Sequence, residues 1–276
     1  MTLSLKSSLT GLEVQRYWEL LYVLVVRNLK VRYRGSFLGV YWSLLNPLIM
    51  TAFYSVIFGK AFIKEINKST GQLYYDGDIY NYALAALTGL VVLNFFSSST
   101  SQALSSVVNN GSILNKIRLP VSVFPLSMIA ANIFQLSVGV FPVLAIVTLI
   151  KSRSILNVLA LILPFIGLVL VCTGFGFLVS ALYVFFRDLP YFYELVVFVL
   201  LLSSPVFYPA AFVPEEVNGF LHLNPLYFII ESIRQISLTG ELNFMFIGGS
   251  LLNGIIILSL GWTCFHSLRS QFMDLL

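Results

Sequence analysis

The sequence predicts an all-α membrane protein: six transmembrane helices preceded by an amphipathic cytoplasmic interface helix, with short re-entrant helices between the fifth and the sixth. Three observations carry this prediction. The 276 residues are 58% hydrophobic and only 10% charged, with a mean hydropathy of +0.90. A soluble domain carries about a quarter charged residues, and this chain would have nowhere to put its apolar surface in water. The apolar residues also fall into runs close to the roughly 20 that a helix needs to cross a hydrocarbon core. Finally, the cations gather beside those runs, so the net charge of +4 reads as a topology signal rather than a nucleic-acid surface.

The elements follow in order. Residues 13–34, EVQRYWELLYVLVVRNLKVRYR, alternate apolar and charged groups too often to span. Arg27, Lys30 and Arg34 fall at i, i+3 and i+7 on one helical face, while Tyr17, Trp18, Tyr22 and Leu29 offer a second, amphipathic surface. Such a helix suits the headgroup layer, either as an anchor on anionic lipid or as a cuff that docks a soluble partner. The run Leu20 to Val26 is short, is closed by Arg27 and lacks a small-residue cleavage site, so no cleavable leader is expected. Gly35 ends the helix and lets the chain turn into the bilayer.

The first span is Phe37 to Gly59, with Pro47 expected to kink it, and the second is Ile79 to about Ser99. The connection at 105–120, SSVVNNGSILNKIRLP, holds a short helix capped by Ser112 and closed by Pro120, and serves as a plain connector or as a lever. Val121 to Ile150 is the third span, long enough to tilt or bend at Pro142; about Val158 to Phe186 is the fourth; Tyr191 to Tyr208 is a short fifth; Phe244 to His266 is the sixth. Residues 205–241 are apolar but broken by Pro205, Pro209, Pro214 and Pro225. Two re-entrant helices dipping from the outer face fit them, the second near Leu226 to Ile236, as does a plain outer loop with apolar patches. Irregular backbone at membrane depth must be sheltered by protein or water. The densest cationic cluster flanks the first span, which places both termini in the cytoplasm.

Chemistry is sparse. There is no GxxxxGK[ST] loop, so no ATP site of that type lies in this chain. His222 and His266 are isolated, Cys172 and Cys264 lie far apart in apolar runs and read as small core hydrophobes, and no metal or cofactor set is expected. A membrane-embedded enzyme of glycolipid assembly would need a catalytic carboxylate or metal site, and none is found. The interiors of the first four spans hold no Asp or Glu, which argues against an intramembrane proton or sodium relay. Glu231 and Arg234 stand at i, i+3 spacing and can pair. Aromatic residues make up 15% of the chain. Trp42, Asn46, Ile49 and Phe53 share one face of the first span, and Tyr191, Glu194 and Phe198 one face of the fifth. Those faces could line a path for a sugar chain, whose C–H surfaces slide on flat rings, or could simply pack against lipid.

The segments RNLKVRYRGSFLGVYWSLLNPL (27–48), NKIRLP (115–120), FFRDLPYF (185–192) and SSPVFYP with VPE and NPLYFIIESIRQ (203–235) resemble the membrane subunits of type-two ABC exporters of polysaccharides, the group that exports O-antigen, capsule and teichoic acid. The resemblance covers nearly the whole chain, treats 1–276 as a single membrane domain, and leans toward the O-antigen exporters. It implies a multi-pass protein of the bacterial inner membrane, working as a homodimer with two copies of a separate ATPase subunit that binds ATP and Mg. The cargo would be a lipid-linked polysaccharide; the same fold would also serve a smaller lipid or drug cargo. It further implies that Arg27, Lys30 and Arg34, with Asn115, Lys116, Ile117 and Arg118, face the ATPase. Trp42, Asn46, Phe53, Tyr191 and Phe198 would line the path. Arg187, Asp188 and Glu194 would sit at its cytoplasmic mouth, with Arg187 and Asp188 near the cargo's diphosphate or in an intersubunit salt bridge. The region 205–241 would form the outer gate.

Overall fold

The computed structural model describes residues 2–69, 79–114, 119–208, 219 and 221–272, and no strand occurs among them. The leading helix α1 runs Thr2–Tyr33, starting well before the residue 13 expected from the amphipathic pattern. The polar stretch ahead of residue 13 has no apolar periodicity to announce a helix. Ser36 and Gly39, with Gly35 at φ +75°, turn the chain. A single 3₁₀ turn, Gly39–Tyr41, then leads into α2, Trp42–Ser69. Pro47 lies inside α2, where it cannot donate to the carbonyl of Ser43.

Helix α3, Ile79–Asn109, is the buried axis of the bundle and continues ten residues beyond the expected end at Ser99. Its polar tail can be buried in the bundle because its hydroxyls bond back to the preceding turn, Thr100 to Phe96 O at 2.7 Å and Ser106 to Ala103 O at 2.6 Å, as does the amide of Asn110 just past its end, to Ser106 O at 2.7 Å. A short helix, α4, occupies Gly111–Leu114, so it begins before Ser112 rather than being capped by it. Asn115, Lys116, Ile117 and Arg118 lie outside the described residues.

The next span is built from α5, Val123–Gln135, a π-helical turn, Leu136–Val140, and α6, Phe141–Ser152. Pro142 explains the interruption: it has no N–H for the carbonyl one turn back, and the preceding turn widens. After α7, Ile155–Ala160, come α8, Ile162–Phe185, and α9, Leu189–Ser203. Helix α9 ends short of Tyr208, because Pro205 stops it. Helix α10, Tyr227–Arg234, continues into a π turn, Gln235–Thr239, and α11 covers Phe244–Leu268. Five helical stretches among the described residues are long and apolar enough to cross a membrane: Gly39–Phe58, Ile79–Asn109, Val123–Ser152, Ile155–Phe185 and Phe244–Gln271. Leu189–Ser203 is apolar but shorter.

Two apolar clusters hold the bundle. The larger joins Val91 and Phe96 of α3, Leu168 of α8, and Ile229 and Ile233 of α10. The second, at the end where α1 docks, joins Leu24, Val107, Phe124, Phe177 and Phe265. Helices α8 and α11 cross almost backbone to backbone. A Cβ on Gly254 would lie 2.9 Å from Gly167 O, one on Gly167 would lie 2.8 Å from Ser250 O, and one on Gly261 would meet Gly174 O. Small residues at seven-residue spacing permit this approach and the dispersion contacts that come with it.

Candidate functional site

Helix α1 is fastened to the bundle by polar side chains at two levels about three turns apart. Tyr17 meets Ser122 at 3.3 Å, Asn28 donates to Ser127 at 3.1 Å, and Arg27 donates to Asn110 at 3.1 Å. Tyr17 therefore turns inward, while Trp18 and Tyr22 remain exposed. Arg27, Lys30 and Arg34 are exposed, as their spacing predicted for one helix face.

Arg32, between them, behaves differently. Its guanidinium is half-buried and donates to Asn132 at 3.0 Å, to Gln135 at 2.6 Å and to Gln102. Asn132 is held in turn by Ser98, which donates to it at 3.2 Å, and it donates to Met128 O at 3.0 Å. Among the described residues no carboxylate pairs with Arg32. The cluster forms one wall of a cavity of about 390 Å³ between α1, α2, α3 and the π turn after α5; Trp42 and Asn46 line it from α2 and Asn94 from α3. The π turn brings backbone close to α2 here, since a Cβ on Gly139 would lie 2.7 Å from the Ser43 hydroxyl. Arg32 also lines a second, more open cavity of about 490 Å³ with Arg27, Gln102 and Asn110.

The remaining path candidates lie elsewhere. Phe53 is exposed further along the α2 face that carries Trp42, Asn46 and Ile49. Tyr191, Glu194 and Phe198 are exposed on α9, opposite Tyr193, which is buried and bonded to Thr100 at 2.5 Å and Ser97 O at 3.1 Å. The cavity takes in Trp42 and Asn46 but neither Phe53 nor these three residues of α9. Arg187 and Asp188 are exposed in the turn between α8 and α9; Arg187 stands over the Tyr183 ring at 5.7 Å, and the two do not form an ion pair with each other.

At the far end, Glu231 and Arg234 pair as their spacing predicted, at 2.8 Å, with Arg234 fully buried. Arg234 also donates to Pro205 O at 2.8 Å and Ala85 O at 3.2 Å, Tyr82 donates to Phe207 O at 3.0 Å, and Asn224 donates to Ser204 at 2.8 Å. The irregular backbone at 204–207, just past α9, is thus sheltered by protein.

Arg32, Asn94, Gln102, Asn132 and Gln135 escape a reading that searches spans for carboxylates. The signal was available: uncharged amides within apolar runs are costly unless bonded or used.

Residues 19–238 match the family described as ABC-2 type transporter. Two proteins named O-antigen export system permease protein RfbA, both from Klebsiella pneumoniae, are 31% and 30% identical to the chain, each match covering 94% of this chain and 95% of the relative. A protein of the same name from Myxococcus xanthus is 28% identical over 81% of this chain and 82% of its own length.

Proposed function

The chain belongs to the ABC-2 type transporter family as a membrane subunit, and from that premise we propose that it is the permease of an ATP-driven exporter of a lipid-linked, O-antigen-like polysaccharide. The observation that carries this reading is the near full-length similarity to relatives named as O-antigen export permeases. In this reading the protein sits in the bacterial inner membrane with both termini cytoplasmic, and Leu189–Ser203 completes a set of six spans. Two copies form the path, and two ATPase subunits supply the work.

The exposed cations Arg27, Lys30 and Arg34, with residues 115–118, receive the ATPase. Because Asn28, Arg27 and Arg32 bond α1 to α3 and α5, a push on α1 reaches the spans directly and is not absorbed by lipid. The aromatic faces of α2 (Trp42, Asn46, Phe53) and α9 (Tyr191, Phe198) serve as the sliding surface for sugar rings. Their exposure in the single protomer is what faces awaiting a second copy or a cargo require, since aromatic rings offer area and edge polarity at low entropic cost. Arg187, Asp188 and Glu194 guard the cytoplasmic entrance, and 205–241 closes the outer end.

The test is transport by the reconstituted complex. The chain, co-expressed with the ATPase subunit encoded beside it, is placed in proteoliposomes with lipid-linked polymer. ATP-dependent movement of polymer across the bilayer is expected, as is ATP hydrolysis stimulated by polymer. Equal movement with a hydrolysis-deficient ATPase, or no stable complex with any ATPase, would overturn the reading.

A further inference from the structure

The polar cavity holds a charge that no described carboxylate answers. Arg32 makes its bonds to three neutral amide oxygens, and no described carboxylate pairs with it. Neutral acceptors satisfy the N–H groups but leave the positive charge uncompensated in a half-buried site, a costly arrangement unless an anion completes it. A second observation lies at the same place: Tyr33 lines the cavity, and its hydroxyl is buried with no hydrogen-bond partner among the described residues. Asn46 and Asn94 add amide donors, and Ser36 and Ser43 add hydroxyls.

The cavity's position says where an anion would come from. It lies at the corner where α1 turns into α2, flanked by exposed Trp42 and fully exposed Phe37. Asn46 is seven residues into the span that opens at Gly39, about 10 Å along a helix rising 1.5 Å per residue. The cavity's mouth, at Arg32, Tyr33, Ser36 and Trp42, therefore falls at the start of the span, where a leaflet's headgroup boundary lies, and Asn46 forms its deeper end. The anionic headgroups found there are phosphates, and a planar guanidinium fork binds phosphate oxygens in pairs. A volume of about 390 Å³ suits a headgroup with one attached ring and excludes a polymer.

We propose that this cavity is a binding site for the phosphate headgroup of a membrane-resident lipid, with Arg32 as the charge partner and Asn46 and Asn94 as donors. The site takes the end of the amphiphile that stays at the leaflet, while its acyl or prenyl chain leaves past Trp42 into the bilayer. It rests on the export reading only for which lipid is bound, not for the phosphate chemistry.

The test uses the full chain purified in maltoside detergent, titrated with dodecyl phosphate, dodecanol and inorganic phosphate. Calorimetry gives the affinity, and Trp42 emission in a Trp18→Phe, Trp262→Phe background gives the location. Dodecyl phosphate is expected to bind saturably and to shift Trp42 emission. Arg32→Gln is expected to weaken it by about tenfold or more, the factor that matches one charge-assisted bond, while Arg32→Lys, which keeps the charge but not the planar fork, is expected to fall between the wild type and Arg32→Gln. Arg34→Gln removes the same charge from the exposed face and is expected to leave binding unchanged. Should Arg32→Gln not fold, Asn94→Leu fills the cavity from α3 without touching the guanidinium and is expected to give the same loss. Equal binding by the Arg32→Gln and Arg34→Gln chains overturns the site. Dodecanol binding as tightly as dodecyl phosphate overturns the phosphate chemistry, and inorganic phosphate binding as tightly overturns the lipid source. These outcomes are separate from the transport assay: a chain that exports polymer with unchanged Arg32→Gln binding keeps the function and loses the site, and the reverse result does the opposite.

Discussion

Two arginines are drawn into this bundle from opposite ends, and they are treated in opposite ways. Arg234 is sealed: it is fully buried, paired with Glu231 at 2.8 Å, and bonded to the carbonyls of Pro205 and Ala85. Arg32 is half open, bonded only to amides, and beside a cavity. The first arrangement fixes a broken segment of chain in place. The second leaves a charge with no counterion among the described residues. A closed charge is structural; an open one is available to a ligand.

The sharpest way to break this contrast is to unseal Arg234. Glu231→Leu leaves a guanidinium buried beside a leucine and is expected to destabilise the fold by about 3–5 kcal/mol, read as a large drop in thermal transition of the detergent-purified chain. Replacing both partners, Glu231→Leu with Arg234→Met, is expected to recover much of that loss, because a buried pair exchanged for apolar groups of similar volume is often close to neutral. If the double variant is as damaged as the single, the carbonyl bonds to Pro205 and Ala85 matter more than the ion pair. Arg32→Gln is expected to cost less, about 1–2 kcal/mol, since its partners are neutral amides that can re-form bonds with glutamine or water. A cost equal to that of Glu231→Leu would show that Arg32 is a sealed charge as well. The smallest effect is expected at Lys30 and Arg34, where glutamine changes stability by within about 0.5 kcal/mol; Arg27→Gln also loses the charge-assisted bond to Asn110, and all three are expected to lower polymer-stimulated ATP hydrolysis in the assembled complex. Wild-type hydrolysis by a triple variant would remove that face from the proposed ATPase contact.

The same contrast explains what the sequence disclosed. Glu231 and Arg234 were legible because their pairing is local, three residues along one helix. The spans were legible because a bilayer demands length and apolarity, both read directly from runs of residues. The far end of α3 was not, since SSSTSQALSSVVN looks like a loop until its hydroxyls are seen bonding back to the helix. Nor was the start of α1, where no apolar rhythm marks the helix. Arg32 read as one more member of a cationic cluster, because its partners Gln102, Asn132 and Gln135 are distant in the chain, 70, 100 and 103 residues away. No periodicity connects residues so far apart; only the packing of α1 against α3 and α5 does. Trp42 and Asn46 were found through helical spacing, and the cavity includes them, whereas spacing alone could not say that Phe53 falls outside it.

The crossing of α8 over α11 has a mechanical corollary. Where carbonyl oxygens already sit against opposing glycines at Gly167, Gly174, Gly254 and Gly261, neither helix can rotate or slide without collision, so the pair behaves as a keel. Whatever opens and shuts in this protein must hinge around that keel, and α9, exposed along the face of Tyr191, Glu194 and Phe198 and packed more sparsely on the described chain than α2, is the span with the most room to swing.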